Sequence, residues 1–93
     1  MSNNKRKILL ADDDPKLRTL VRLSLGDHFT LLEASDGQEA LDIARTQGPD
    51  LVLLDITMPK LSGLEVCKEI KRDPATRDII VVMLTARNNP DEV

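Results

Sequence analysis

Ninety-three residues, 41% hydrophobic and 31% charged, suffice for one small domain that buries roughly 60–70% of its unfolded surface without staples. A net charge of −3 with no block of like charge excludes a nucleic-acid arm, and the single aromatic, Phe29, argues against base stacking. The single cysteine, Cys67, excludes an internal disulfide framework, and no apolar run approaches the roughly 20 residues of a bilayer span, so the expectation is a cytoplasmic protein with no membrane contact and no direct nucleic-acid contact.

Met1 to Lys7 is polar and has no signal-peptide core. Lys5-Arg6-Lys7 reads as a solvated terminus. Ile8-Leu9-Leu10-Ala11 is a continuous apolar run, which predicts a strand buried on both faces. Asp14-Pro15 supplies an N-cap and a first-turn proline, and Leu17, Leu20, Val21 and Leu25 follow at helical spacing up to Gly26. Phe29 to Ala34 reads as a second strand. Asp36 with Glu39 predicts a capping box for a second helix with the stripe Ala40, Leu41, Ile43 and Ala44, stopped by Gly48-Pro49.

Leu51 to Leu54 is a second strand of the doubly buried type, with Asp55 at its end. Ile56 to Leu61 forms a loop. Ser62 with Glu65 predicts another capping box, Leu64, Cys67 and Ile70 the buried face, and Lys68, Lys71 and Arg72 a cationic last turn. Ile79 to Leu84 is the most apolar strand. Asn89-Pro90-Asp91-Glu92 has the form of a cap, a first-turn proline and first-turn acids of a fourth helix. Strict alternation of strand and helix implies an α/β fold, a parallel sheet with helices on both faces. The chain stops at Val93, one residue past that last turn, so the expectation is a single domain over residues 1–93 that is incomplete at its C-terminus.

Asp12, Asp13, Asp55 and Thr85 fall at or just beyond the carboxyl ends of strands, where open α/β sheets bind ligands. If the first and third strands are neighbours, Asp12, Asp13 and Asp55 face one small volume. Three carboxylates there raise one another's pKa unless a hard cation relieves them. Mg2+ favours a few carboxylates, waters and a substrate phosphate, and a carboxylate is itself a competent nucleophile toward phosphorus. Each residue also has a plainer use. Aspartates at 12–14 cap helices, Asp55 could be a surface carboxylate at a strand end, and threonine is common in strands. Asp14 is best read as the cap. Cys67 is a small core residue and His28 a solvated loop residue with no ligand cluster around it.

Three segments carry a resemblance: Ile8-Leu9-Leu10-Ala11-Asp12-Asp13-Asp14, then Leu53-Leu54-Asp55-Ile56-Thr57-Met58-Pro59 with Gly63, then Val82-Met83-Leu84-Thr85-Ala86. In this order the sequence resembles the receiver domains of response regulators over essentially its whole length. The resemblance implies a flavodoxin-like (CheY-like) sheet of strand order 2-1-3-4, lacking the fifth strand and fifth helix of the family. It implies Asp55 as phosphoacceptor, Asp12 and Asp13 as the Mg2+-binding acids, Asp55 and the Thr57 backbone carbonyl as further ligands, Thr85 as the switch hydroxyl and Ala86 as the small residue beside it. It also implies a histidine kinase or histidine phosphotransfer protein as phosphoryl donor in a two-component phosphorelay, and a shape change in response rather than enzymatic turnover.

The family's lysine follows a fifth strand that these 93 residues do not reach, and Lys60, in the loop after Asp55, does not match it. The expectation is therefore Mg2+ binding at Asp55 with poor acceptance and poor retention of phosphoryl in this 93-residue form. A phosphatase of the haloacid dehalogenase type also uses a strand-end aspartate, but needs a second aspartate two positions on, where this chain has Thr57. A third expectation is self-association through the unpaired edge of the Ile79 to Leu84 strand.

Overall fold

The computed structural model of the chain describes residues 5–56, 58 and 60–84. Its elements alternate as β1 (Arg6–Ala11), α1 (Pro15–Leu25), β2 (Phe29–Ala34), α2 (Gly37–Gln47), β3 (Leu51–Asp55), α3 (Gly63–Arg72) and β4 (Ile80–Leu84). All strand pairs are parallel, in the order β2-β1-β3-β4. This is the flavodoxin-like, CheY-like order that the resemblance implied. The segments assigned to Thr85, Ala86 and a fourth helix lie outside the described residues, as does Thr57.

The direction of travel across the sheet reverses after β2. With right-handed crossovers, that reversal puts α1 on one face and α2 and α3 on the other. Side chains alternate along β1 accordingly. Leu9 and Ala11 join Val52, Leu54, Ala40, Leu41, Ala44, Val66 and Ile70 in the main core, while Ile8 and Leu10 are buried outside that cluster.

Local chemistry sets the boundaries. Asp14 caps α1 by accepting from the Lys16 N–H, and Ser62 with Glu65 completes a reciprocal capping box on α3. α2 differs from expectation in one bond. Asp36 accepts from the Glu39 N–H, but the Glu39 carboxylate reaches back one residue further and takes the N–H and hydroxyl of Ser35. Gly48 ends α2 in the left-handed conformation that a residue without a β-carbon adopts most cheaply. β1 begins at Arg6 rather than Ile8, because Lys7 is locked into the sheet: its N–H donates to the Asp50 carboxylate and its ammonium to the Gln47 carbonyl.

Three expectations about burial need correction. On α3 the buried residues are Gly63, Val66 and Ile70 with Cys67 half-buried, whereas Leu64 is 62% exposed. On α1 no residue is fully buried and Leu20 is 60% exposed. α1 lies over β2, so the same face of the sheet is thinly covered beyond β1. Hence Leu51 and Leu53 of β3 are only half-buried, and Ile80 of β4, in the most apolar run of the sequence, is 62% exposed. Ile79, expected to open that strand, is instead buried just before it.

Candidate functional site

β1 and β3 are central neighbours, in register from Ile8 with Leu51 to Ala11 with Leu54. Their next residues, Asp12 and Asp55, therefore emerge side by side at the carboxyl edge. Carboxylate oxygens of Asp12, Asp13 and Asp55 all lie within 4.8 Å of one another. Asp12 is fully buried and Asp55 is 3% exposed, while Asp13 is open to solvent. The cluster is thus a pit with two acids in its floor and one on its rim.

Asp12 is fixed on several sides. Its N–H continues the β1–β2 ladder to the Ala34 carbonyl at 3.1 Å. Its Oδ1 accepts the Asp14 N–H at 2.8 Å, an Asx turn that swings the chain toward the α1 cap. Its carbonyl accepts from Arg18 Nη1 at 2.6 Å. Asp55 is fixed through its backbone. It pairs with Leu84 of β4, and α3 begins against it: the Gly63 N–H donates to the Ile56 carbonyl at 2.9 Å, and a β-carbon on Gly63 would overlap the Asp55 carbonyl oxygen. Gly37 makes the equivalent close approach to the backbone of Leu61, so α2 also starts hard against the loop that follows Asp55.

The loop cation Lys60 is engaged by α2. It holds a left-handed backbone (φ 70°) and pairs with Asp36 Oδ2 at 3.6 Å. The Asp36 carboxyl is held below the usual carboxylate range, chiefly by the Glu39 N–H and further by Lys60.

The donor set is made only of carboxylate oxygens, which suits a hard divalent cation and not a soft one. Mg2+ at about 2.1 Å from each ligand sets them at most about 4.2 Å apart across an octahedron, so the observed spacing is within a small side-chain adjustment. Of the site residues expected from the sequence, the structure brings Asp12, Asp13 and Asp55 together. Thr57, Thr85 and Ala86 lie outside the described residues. The supporting residues Arg18, Glu33 and Gly37 were missed. Glu33 carried a signal, being the lone charged residue in a mainly apolar strand, which calls for a cationic partner.

A sequence profile for the response regulator receiver domain matches residues 8–93. The chain belongs to the response regulator receiver domain family. Receiver domains are the phosphoacceptor modules of two-component signalling, and that is the class of this domain. It is 45% identical over 84 residues to the probable transcriptional regulator ycf27 of Guillardia theta, a match covering 88% of this chain and 32% of that protein. It is 42% identical over 84 residues to the alkaline phosphatase synthesis transcriptional regulatory protein PhoP of Bacillus subtilis (strain 168), covering 89% of this chain and 34% of that one. The crystal structure of the N-terminal domain of a response regulator receiver protein from Methanoculleus marisnigri JR1 superimposes with a TM-score of 0.81. It is 42% identical, over 92% of this chain and 72% of that one. The receiver chain described here thus spans about a third of the length of the curated relatives it matches. Among its described residues no helix is long and apolar enough to cross a membrane.

Proposed function

We propose that residues 1–93 belong to a single receiver domain with Asp55 as its phosphoacceptor, and that Asp12, Asp13 and Asp55 hold Mg2+ beside it. The observation that carries this is the meeting of the three carboxylates at the carboxyl ends of β1 and β3. Bound there, Mg2+ would neutralise the oxygens of the incoming phosphoryl group. An Asp55 carboxylate oxygen forms the new bond to phosphorus. The bond from phosphorus to the donor's imidazole nitrogen breaks, and the electron pair stays on that nitrogen. The donor is accordingly a histidine kinase or a histidine phosphotransfer protein. Thr57, through its carbonyl, is proposed as a further metal ligand. Thr85 is proposed to donate its hydroxyl to a phosphoryl oxygen, and Ala86 to be the small residue that leaves that group accessible.

The domain acts by being modified rather than by turning over a substrate, in the cytoplasm, and without touching nucleic acid itself. The net charge of −3 supports the last point. Incubation with Mg2+ and a small phosphodonor, followed by intact-mass measurement, tests the assignment. Partial addition of one phosphoryl group on the wild type, and none on Asp55→Asn, is expected. Undiminished addition on Asp55→Asn would overturn it.

A second reading concerns association. Among the described residues β4 is paired on one side only, and Ile80 and Val82 on it are exposed. An apolar strand edge of this kind pairs readily with another copy. Light scattering should show mass rising with concentration, and Ile80→Lys should suppress the rise. A strictly monomeric mass at high concentration would dismiss this reading.

A further inference from the structure

Asp12 is tied to the far edge of the sheet by a relay of charged groups. Glu33 on β2 is gripped by Arg22 of α1 through Nε at 3.1 Å and Nη2 at 3.2 Å. The same carboxylate meets Arg18 Nε at 3.3 Å. Arg18, one turn earlier on α1, then spends its other end on the Asp12 carbonyl at 2.6 Å. The Arg18 and Glu33 side chains are 20% and 28% exposed, so the relay is partly shielded from water and salt. A guanidinium donating to a carbonyl makes a charge-assisted bond with a rigid fork geometry. The peptide it holds is the one joining Asp12 to Asp13. Any rotation of that peptide swings both carboxylates and strains the Asx turn from Asp12 to Asp14.

We propose that Arg18, oriented by Glu33, is a positioning residue of the acidic site: it fixes the Asp12–Asp13 peptide so that both carboxylates converge on Asp55. This rests on the reading of the cluster as a Mg2+ site. The sign of the effect is diagnostic. As a bare positive charge near the cluster, Arg18 would weaken cation binding, so its removal would tighten it. As a positioning residue, its removal weakens binding. Supporting groups around metal ligands are typically worth about 10- to 100-fold in affinity.

The test uses the whole 93-residue chain with Arg18→Gln, Arg18→Lys, Glu33→Gln and the Arg18→Gln/Glu33→Gln pair. Two quantities are measured by NMR: the Mg2+ affinity from the Asp12–Asp14 amide shifts, and hydrogen exchange of the Asp14 amide without metal. Arg18→Gln is expected to weaken Mg2+ about tenfold and to speed exchange at Asp14, with Arg18→Lys recovering part of both. Glu33→Gln should weaken Mg2+ by less, and should add nothing on top of Arg18→Gln, because both act through one contact. Unchanged or tighter Mg2+ binding by a folded Arg18→Gln overturns the proposal, as does full additivity in the pair. Should Arg18→Gln not fold, Glu33→Gln decides on the same two readouts. If the wild type binds no Mg2+ at these aspartates, the metal reading fails. Asp14 exchange without metal still decides the Arg18 contact, and unchanged exchange overturns it.

Discussion

The Asp55 carbonyl and the Cα of Gly63 lie so close that no side chain fits between them. The strand end that carries the Asp55 carboxylate and the first residue of α3 are therefore one rigid corner. Gly63→Ala would set a β-carbon against the Asp55 carbonyl and 3.0 Å from the Ile56 Cα, and both neighbours are backbone that cannot swing aside. Overpacking of this kind costs about 1–3 kcal/mol. The expected outcome is a lower urea midpoint together with weaker Mg2+ binding, read by amide shifts at Asp12–Asp14. A variant of full stability would show that the corner yields.

The acid cluster should destabilise the metal-free domain. Two of its three carboxylates are buried, and like charges at this range repel. Asp55→Asn is expected to raise stability in chelator by about 1 kcal/mol or more. Wild type should gain about 2.7 kcal/mol at a Mg2+ concentration 100 times its Kd, by mass action, and Asp55→Asn should gain far less. Thermal unfolding with and without Mg2+ checks both halves.

On α3 the burial pattern separates two residues that look alike in sequence. Ile70 is fully buried in the main core, and Leu64 is exposed. Ile70→Ala should cost about 2–5 kcal/mol. Leu64→Ala should stay within about 0.5 kcal/mol. Paired urea titrations decide the matter, and a comparable loss at both positions would mean the helix is rotated.

Acid should loosen α2 through its cap. The Asp36 carboxyl is lowered from its ordinary value, mainly by the Glu39 N–H and also by Lys60. A lowered folded pKa means the charged cap contributes in full above the unfolded carboxylate's pKa. The contribution is lost as pH falls through that value toward the lower folded one. Asp36→Asn keeps the acceptor oxygen and removes the charge. Its stability should fall less steeply than wild type's between about pH 5 and pH 2, followed by urea midpoint against pH.

Much of this site was legible because its acids interrupt apolar runs. Asp12 follows Ile8 to Ala11 and Asp55 follows Leu51 to Leu54, so each had to stand at a strand end. What the alternation of strand and helix could not supply was the adjacency of β1 and β3. That came from the family resemblance, and the register of Ala11 with Leu54 bears it out. The α3 stripe was misjudged because Leu64 and Val66 are both apolar and a helical period fits either. Gly63 settles the choice, since its close approach to Asp55 fixes which side of α3 faces inward. Arg18 was unreadable from periodicity, because on an amphipathic helix a guanidinium reaching under the strand end looks like any solvated base.

The placement of β1 between β2 and β3 also orders the site in time. Asp12 and Asp13 leave the ribosome long before Asp55, with α1, β2 and α2 made in between. A β1–α1–β2 unit can pair and cap itself, yet it holds only two of the three carboxylates. The third arrives when β3 slots in on the other side of β1, a contact between distant parts of the chain that carries a closure cost. If the three acids hold the proposed cation, affinity for it at this rim is a gauge of completed topology. A nascent or partly unfolded chain, however intact its first motif, would offer that ion two carboxylates instead of three.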